Sequence, residues 1–397
     1  MKRISYIVLI IFLNSASQSF SKSSDVYEYW LDNFLFDKIR ENATDIRTTN
    51  LITLHLKEKL KTYKSTKIIL ENLSQAEFSQ PEKYFKEEIL NTKTIYGKKL
   101  KIKLENDLTN IEREYRVDRN ILLAIWANET FFGRAGPNLD GLQILSILSF
   151  SSDKRNFFLK EFLYLVQIIE KYKIDIETLK TSTTGALGQP QFLPSTYLKF
   201  GIDFDNDRIA DIWDSEKDTL ASIANYLSKH GWDDKREWGF EVKIPSTIKC
   251  HLEGPDHSRT LSQWDKLGLV RASKKPFPEK EKEESFNLLF PSGTFGPIYL
   301  VSKNFYVLKQ YNNSDLYALS VGFLADKLKY KNHNFYTNWQ NTRKINKDDI
   351  IKLQKKLSVH FDVGGIDGLI GYKTRRAIGF YQKERNIKET CWPSSKK

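Results

Sequence analysis

The chain has 397 residues, which at the usual ~100–200 residues per domain predicts two or three domains and argues against a single small binding module. With 40% hydrophobic and 28% charged residues, together with 25 Phe, 19 Tyr and 8 Trp, the composition excludes disordered and collagen-like chains. The net charge of +12 favours an anionic partner. However, 46 of the 62 basic residues are Lys and no nucleic-acid-binding motif occurs, so we expect no nucleic acid partner.

The N-terminus has the pattern of a secretory signal peptide. Met1-Lys2-Arg3 precedes an apolar run from Ile4 to Leu13, and small and polar residues follow. This run is about half the length that a membrane-spanning helix needs, and no Cys follows it to carry a lipid anchor. We therefore expect residues 1–21 to be removed and the mature protein to be exported to the periplasm, soluble, without a transmembrane span and not a lipoprotein. The alternative is a buried N-terminal helix.

Periodicity and punctuation divide the rest of the chain into segments. Residues 22–110 have helical spacing and predict a helical N-terminal region. Residues 111–330 carry Gly, Pro and polar clusters on an apolar background and form the candidate catalytic core, with short strands and a charged loop predicted for an insertion at 240–300. Residues 331–344, rich in Lys and Asn, predict a linker before a small C-terminal unit at 345–397. The predicted fold class is mainly α (α+β).

The chain has two cysteines, Cys250 and Cys391, which an oxidising compartment would allow to form a disulfide. Spacing alone does not show whether two thiols are close, so a bridge and two free thiols both stay open. A metal site at Cys250, His251 and His257 is not predicted, because no matching second pair of ligands occurs.

A carboxylate stands on the apolar face of a predicted helix. Asp118 is a good N-cap, and Ile121 and Ile125 precede Glu129 at four-residue spacing. Desolvation at such a position disfavours the charged form and raises the pKa of Glu129, as suits a general acid near neutral pH. The alternative is a purely structural Glu paired with Arg134, and position alone leaves both interpretations open.

The segment 181–195 contains two Gly and two Pro, which predict an irregular backbone. Ser182 and Gln191 offer hydrogen-bonding groups there, and Phe192 offers an apolar wall, a combination that suits sugars. An ordinary turn-rich loop is the alternative.

Five motifs occur in the order seen in the B-type lytic murein transglycosylases, and the chain resembles that family over about residues 80–330. In chain order they are Trp126 to Thr130 with Gly133, Gly185 to Ser195, Asp203 to Trp213, Ala224 to Tyr226 with His230 to Trp232, and Tyr311 to Ser314 with Tyr317 and Ala318. The chain departs from the family at Asn128 and Leu193, where Met is common, and at Lys154-Arg155, where the family has two Arg.

The resemblance implies a lysozyme-like helical core and a lytic murein transglycosylase. Such enzymes cut the β-1,4 bond between N-acetylmuramic acid and N-acetylglucosamine in peptidoglycan without adding water, and they leave 1,6-anhydromuramyl ends. Glu129 would be the single catalytic residue, first as acid and then as base. The implied substrate-binding residues are Ser182, Gln191, Phe192, Tyr226, Tyr311, Asn312 and Arg155.

The implied partners are peptidoglycan glycan strands and other cell-wall enzymes, and we expect a monomer that requires no cofactor. Two alternative functions stay open. A hydrolytic muramidase would need a second carboxylate facing the cleaved bond. A non-catalytic peptidoglycan-binding scaffold would have no reason to bear the desolvation cost of Glu129.

Asp203, Asp205 and Asp207 alternate as at the start of an EF-hand loop, which the family uses for calcium. The resemblance therefore implies a structural Ca²⁺. Its ligands would be Asp203, Asp205, Asp207, the backbone carbonyl of Ile209, and Asp218. Arg208 stands at the sixth position, where Gly usually makes the sharp turn, and Asp218 would also serve as a cap of the next helix, so both interpretations stay open.

Residues 345–397 are similar to the small helical peptidoglycan-binding domains. Leu353 to Leu357 are followed by Gly365 to Gly371 and then by Thr374 ahead of Tyr381-Gln382. The unit is expected to be truncated, since the sequence ends soon after Cys391, and we hypothesise that a bridge to Cys250 ties its end to the core. A helical hairpin without a ligand is the alternative.

Overall fold

The computed structural model describes residues 20–71 and 80–393. The predicted signal peptide falls almost entirely outside these residues. Contacts divide the chain into two compact units, which we call the first unit (Met1–Leu73 and Pro137–Lys199) and the second unit (Ser74–Gly136 and Phe200–Lys397). The segment limits predicted from the sequence differ from these units and stay a prediction.

Helices make up most of the described chain. The α-helices are α1 (Phe20–Trp30), α2 (Phe36–Asn42), α3 (Ile46–Lys59), α4 (Tyr63–Glu71), α5 (Glu87–Lys103), α6 (Glu105–Tyr115), α7 (Arg119–Thr130), α8 (Gly141–Ser151), α9 (Arg155–Tyr172), α10 (Pro194–Phe200), α11 (Glu216–Lys229), α12 (Leu261–Lys266), α13 (Lys303–Tyr311), α14 (Asp315–Lys329), α15 (Lys347–Leu357) and α16 (Tyr372–Glu384). A π-helical segment, Leu31–Leu35, joins α1 to α2, and 3₁₀ turns lie at Leu60–Thr62, Pro81–Phe85, Ile176–Thr178, Cys250–Leu252, Pro255–His257 and Glu279–Glu281.

Eight short strands accompany the helices in the described residues. They are β1 (Leu139–Asp140), β2 (Lys180–Thr181), β3 (Gly239–Lys243), β4 (Arg259–Thr260), β5 (Val270–Arg271), β6 (Ser285–Leu289), β7 (Pro291–Thr294) and β8 (Ile298–Val301). β1 and β2 pair in the first unit, and an antiparallel sheet of order β4-β6-β8-β3-β5 lies in the second. The strands predicted for the insertion at 240–300 are therefore present.

In the first unit, α8 and α9 pack against each other and bury Leu145, Phe162 and Leu165. Asp140 caps α8 by accepting a hydrogen bond of 2.9 Å from the amide of Gln143. Asp140 is thus both the last residue of β1 and the N-cap of α8.

In the second unit, α14 is the central helix. Almost every residue of α14 is buried, and it packs against α7, α13 and α5. A helix that is apolar all round belongs in the middle of a fold rather than on its surface. Gly322 allows the close packing of Trp238, since a Cβ at that position would lie 2.4 Å from the indole ring.

The segment predicted as a linker, 331–344, connects α14 to α15 and contacts the rest of the second unit at several positions. Phe335 stacks on Phe323 with ring centroids 3.7 Å apart, and Trp339 stacks on Phe85 at 4.6 Å. The Lys- and Asn-rich composition, which predicts a linker, does not indicate these two aromatic contacts.

Gln354 of α15 is fully buried and donates a hydrogen bond of 3.2 Å to Thr374 Oγ1 of α16. Its amide accepts the N–H of Gly368 at 2.8 Å and donates to the carbonyl of Leu369 at 3.0 Å. Cys250 and Cys391 form a disulfide with a Cα separation of 6.0 Å, so of the two alternatives the bridge is the one present. No helix within residues 20–71 and 80–393 is both long and apolar enough to cross a membrane.

Candidate functional site

The helix that presents Glu129 begins where the sequence predicts. Asp118 caps α7 by accepting a hydrogen bond of 2.7 Å from the amide of Asn120. The helix ends at Thr130, before Gly133, because Phe131 and Phe132 already adopt left-handed backbone angles, with φ of 50° and 61°. Glu129 therefore lies in the last turn of α7, where it is half-buried.

A tyrosine holds one oxygen of Glu129. The hydroxyl of Tyr317, in the first turn of α14, donates a hydrogen bond of 2.5 Å to Glu129 Oε1. Burial, followed by the nearby Glu129, raises the pKa of Tyr317 well above its usual value, so the hydroxyl keeps its proton. Ser314 caps α14 by accepting the amide of Tyr317 at 3.2 Å. Tyr317 lies in the fifth motif, three residues after this cap, but the motif alone does not indicate its role.

Two of the predicted substrate-binding residues lie in the same cluster. The ring of Tyr311 is parallel to that of Tyr317 at 6.4 Å and meets the ring of Tyr226 edge-on at 5.0 Å. Burial, followed by Glu129, raises the pKa of Tyr311 well above its usual value. The structure thus brings Glu129, Tyr226 and Tyr311 together within the second unit.

Asn312, the next residue, has an exposed side chain. It lines a cavity of about 410 Å³ together with Lys309 and the C-terminal residues Tyr372 and Lys373. The structure places Asn312 at the end of α13, where its carbonyl accepts the amide of Ser314 at 2.8 Å.

A cation that the sequence does not indicate, Lys93, also attracts Glu129. The ammonium of Lys93, on α5, donates a hydrogen bond of 2.6 Å to Asn128 Oδ1. Burial lowers the pKa of Lys93 to about 8, and attraction by Glu129 opposes that change. Lys93 is one of many lysines in a polar helical stretch, so its sequence context gives no sign of this position.

The irregular backbone predicted for 181–195 is present in the first unit. Ser182 Oγ accepts the amides of Thr184 and Ala186 at 3.3 and 3.2 Å. Gln191 has a φ of 57°, and its side-chain amide donates to the carbonyl of Gly188 at 2.8 Å.

Phe192, the predicted apolar wall of this loop, is only 2% exposed. Arg155 starts α9 with an exposed side chain and lines a separate cavity of the first unit with Trp30 and Lys154. The predicted substrate-binding residues are therefore divided between the units: Ser182, Gln191, Phe192 and Arg155 lie in the first, and Tyr226, Tyr311 and Asn312 lie in the second.

The acidic loop brings Asp203, Asp205 and Asp218 together, with one carboxylate oxygen of each within 4.8 Å of the others. The carboxylate of Asp207 instead accepts the amide of Ile209 at 2.9 Å. Carboxylate oxygens are the ligands that Ca²⁺ prefers, so the donor set suits a hard cation.

The structure shows the conformation of Arg208 and the contacts of Asp218, the two residues at which the sequence leaves the interpretation of this loop open. Arg208 adopts the left-handed conformation that Gly would supply, with a φ of 85°. The carboxylate of Asp218 accepts the amides of Phe204 and Asp211 at 2.9 and 2.8 Å, while its own amide donates to Ser215 at 3.2 Å. Burial raises the pKa of Asp218 to about 6, against these hydrogen bonds.

The fold and the site together define a lysozyme-like class: a mainly helical protein with a small sheet, in which one helix end presents a single carboxylate to a tyrosine. Residues 28–326 match the family described as transglycosylase SLT domain. The chain belongs to this family. The resemblance to the transglycosylase family and the predicted mainly α (α+β) fold class are confirmed.

Two solved structures with high overall similarity are those of SltB3 from Pseudomonas aeruginosa, in complex with NAG-NAM-pentapeptide and with NAG-anhNAM-pentapeptide. Each is 29% identical to this chain and covers 93% of it and 97% of SltB3, with TM-scores of 0.82 and 0.80. The membrane-bound lytic murein transglycosylase B of Escherichia coli (strain K12) is 29% identical over 220 residues, which is 55% of this chain. The match spans 58% of that relative's length.

Proposed function

We propose that the protein is a lytic murein transglycosylase that cleaves the β-1,4 bond between N-acetylmuramic acid and N-acetylglucosamine and forms 1,6-anhydromuramyl ends. The observation that carries this proposal is the pairing of Glu129 with the Tyr317 hydroxyl at 2.5 Å. Membership of the transglycosylase family and the similarity to SltB3, whose structures hold NAG-NAM-pentapeptide and NAG-anhNAM-pentapeptide, support it.

The first step of the proposed reaction uses Glu129 as an acid. Since Tyr317 donates to Oε1, that oxygen acts as an acceptor and the transferable proton belongs on Oε2. Oε2 donates this proton to the glycosidic oxygen as its bond to C1 breaks. The hydrogen bond from Tyr317 strengthens as Glu129 becomes a carboxylate, because hydrogen bonds to charged acceptors are stronger.

The second step uses the same residue as a base. The Glu129 carboxylate accepts the proton of the C6 hydroxyl while that oxygen bonds to C1, and the 1,6-anhydro ring closes. The nucleophile belongs to the substrate, so no water needs to be positioned and no second carboxylate is required. The buried tyrosines stay protonated through both steps, since burial keeps the pKa of Tyr317 and of Tyr311 high.

For substrate contacts, Tyr226 and Tyr311 have the strongest support, because their rings lie in the cluster that holds Glu129. Rings of this kind present apolar faces to sugars. The roles of Ser182, Gln191, Phe192, Arg155 and Asn312 rest on the resemblance alone.

We also propose that Asp203, Asp205 and Asp218 hold a structural Ca²⁺, with Asp207 and the carbonyl of Ile209 completing the set. The carboxylates of Asp203 and Asp205 lie close to that of the buried Asp218, and this supports the site, because a divalent cation would relieve the repulsion among the three. Asp218 lies in the first turn of α11, the helix that carries Tyr226. The ion would therefore stabilise the start of that helix.

The proposed location is the periplasm, based on the predicted signal peptide. The proposed partner is peptidoglycan, whose carboxylates suit a chain of net charge +12, with other cell-wall enzymes as further partners.

Mass analysis of the products released from purified murein separates the three candidate functions. Fragments that lack one water relative to hydrolysis products support the transglycosylase. Fully hydrated reducing ends would indicate a muramidase, and binding to murein without release of fragments would indicate a scaffold.

A further inference from the structure

Polar side chains from three helices form a chain of hydrogen bonds next to Glu129. Lys93 Nζ, on α5, donates to Asn128 Oδ1 at 2.6 Å. The amide of Asn128, on α7, donates to Ser320 Oγ at 2.9 Å, and Ser320, on α14, donates to the carbonyl of Tyr317 at 2.8 Å. The chain starts at a cation and ends at the residue that holds the Glu129 carboxyl group.

Burial of these polar side chains costs desolvation free energy. Ser320 is 3% exposed, and Lys93 and Asn128 are partly buried between helices that otherwise pack through apolar side chains. A buried polar group is tolerated when it is hydrogen-bonded, and a buried charge when it is paired. Lys93 meets both conditions, through Asn128 and through its attraction to Glu129.

The network contacts the proposed acid from two sides. Asn128 is the residue directly before Glu129 in α7, so a hydrogen bond that fixes the Asn128 side chain also fixes the last turn of the helix. Ser320 is bound to the carbonyl of Tyr317, whose hydroxyl donates to Glu129. A displacement of either helix relative to the other would stretch the link between Asn128 and Ser320.

We propose that Lys93 is a positioning residue for Glu129: through Asn128 and Ser320 it fixes the carboxyl group against Tyr317, and its charge sets the highest pH at which Glu129 still carries a proton. This inference rests on the proposed function and adds to it a residue that no motif contains.

The titratable groups near Glu129 differ in charge near pH 7. On α14 the titratable neighbour is Tyr317, on α13 it is Tyr311, and beyond Tyr311 lies Tyr226 on α11. These phenols stay neutral near pH 7, because burial raises the pKa of each. Lys93, on α5, is positively charged below its pKa of about 8 and favours the carboxylate. The Lys93 charge thereby opposes desolvation, which favours the protonated form of Glu129. Glu129 must act first as acid and then as base, so both its protonated and its carboxylate form must be accessible.

The test is the pH dependence of anhydromuramyl product release by the full chain. Lys93→Met keeps much of the side-chain volume and removes the charge, so the alkaline limb of the rate profile should move to higher pH by about one unit, with a lower maximal rate. Lys93→Arg should keep the limb near its wild-type position. Asn128→Met should lower the rate and move the limb less than Lys93→Met does, because the charge remains. Lys98→Met, an exposed lysine on the same helix, should match the wild type.

An alkaline limb that is unchanged in Lys93→Met, whatever the loss of rate or stability, would overturn the proposal and leave Lys93 a structural residue.

A second measurement does not depend on activity. Unfolding of Lys93→Met, Glu129→Gln and the double variant at pH 7 should be non-additive, since each single change removes the same attraction. If the wild type released no anhydromuramyl product, the proposed function would fail, and this cycle alone would decide the role of Lys93. Additive effects in the cycle would then overturn it.

Discussion

At the scale of single residues, the Tyr317 hydroxyl donates a hydrogen bond to Glu129 Oε1, and burial keeps this hydroxyl in its donor form. In the proposed mechanism, Oε2 carries the proton that is exchanged. The sequence predicts Glu129 because its neighbours in the same helix reveal the apolar face. The roles of Tyr317 and Lys93 are not visible in the sequence, because only tertiary packing brings them to their partners. Tyr317 is 188 residues from Glu129, and Lys93 is 35 residues from Asn128.

Tyr317→Phe removes the donor and keeps the ring. A hydrogen bond to a charged group contributes about 1.5–3 kcal/mol, so kcat should fall by about 10- to 100-fold with little change in the fold. Initial rates on purified murein and the far-UV circular dichroism spectrum measure the two effects. Tyr330→Phe, at a position 44% exposed, is the matched control and should leave kcat unchanged. A rate equal to wild type in Tyr317→Phe would remove Tyr317 from the mechanism.

Asp326 makes stability depend on pH. Burial, followed by repulsion from Glu237, raises the pKa of Asp326 from 3.8 to about 8, while Trp238 donates to it at 3.2 Å. The folded state therefore binds a proton that the unfolded state releases between these two values. The free energy of unfolding should be highest at and below pH 4 as far as Asp326 is concerned, and its contribution should decline as the pH rises to about 8.

Urea denaturation at pH 5 and pH 8 measures this decline. The neighbouring His333 has the opposite dependence, because burial lowers its pKa from 6.5 to about 4 and the unfolded state therefore binds the extra proton at pH 5. This contribution is present in both wild type and Asp326→Asn, so the comparison of the two isolates Asp326. The free energy of unfolding should fall more from pH 5 to pH 8 in wild type than in Asp326→Asn, and the same change in both proteins would contradict the assignment.

At the scale of elements, the acidic loop and α11 depend on each other. Asp218 is the third residue of α11, and its carboxylate accepts hydrogen bonds from two backbone amides of the preceding loop. The alternation in the sequence groups Asp203 with Asp205, and the structure brings the carboxylates of both close to Asp218. A local pattern cannot show that the carboxylate of Asp207 accepts the amide of Ile209.

Calcium should raise the melting temperature of the full protein, because an ion that binds only the folded state stabilises it by mass action. Asp203→Asn should abolish this response, whereas Asp214→Asn, at a residue outside the cluster of three carboxylates, should retain it. Differential scanning fluorimetry with and without Ca²⁺ measures the effect. An unchanged melting temperature in wild type would rule out the site.

At the scale of the whole molecule, the C-terminal helices lie in the second unit. Arg375 of α16 is 2% exposed and lies between Glu253, at 2.6 Å, and Asp315, at 2.8 Å. Burial alone would raise the pKa of Asp315, but Arg375 and Lys309 lower it to about 2. Asp315 starts α14, so this ion network joins α16 to the helix that holds Tyr317.

The sequence predicts the helices of this region, since capping residues and apolar spacing are local. Apart from the hypothesised bridge between Cys250 and Cys391, it does not predict their attachment, because Arg375 pairs with Asp315 and Glu253, which lie 60 and 122 positions away. The polar composition of the segment before α15 predicts a linker and does not indicate the ring contacts of Phe335 and Trp339.

Arg375→Met should therefore destabilise the whole second unit. Removing one partner of a buried ion pair typically costs about 3–5 kcal/mol, since the remaining carboxylates stay buried and unpaired. Arg376→Met is the matched control: its bond to Asp256 is also 2.6 Å, but Asp256 is exposed, so the cost should be below about 1 kcal/mol. Chemical denaturation of both variants measures the difference. Equal losses would show that the buried network does not stabilise the unit.

The central claim is that a single carboxyl group performs both proton transfers, and the rate of anhydromuramyl release by Glu129→Gln tests it most directly. Gln keeps the size of the side chain and the acceptor for Tyr317, but it can neither give up nor take a proton at this position. We expect the rate to fall by about 10² to 10⁴ relative to wild type, with an unchanged circular dichroism spectrum. Release of the same anhydromuramyl products at a rate close to wild type would contradict the account.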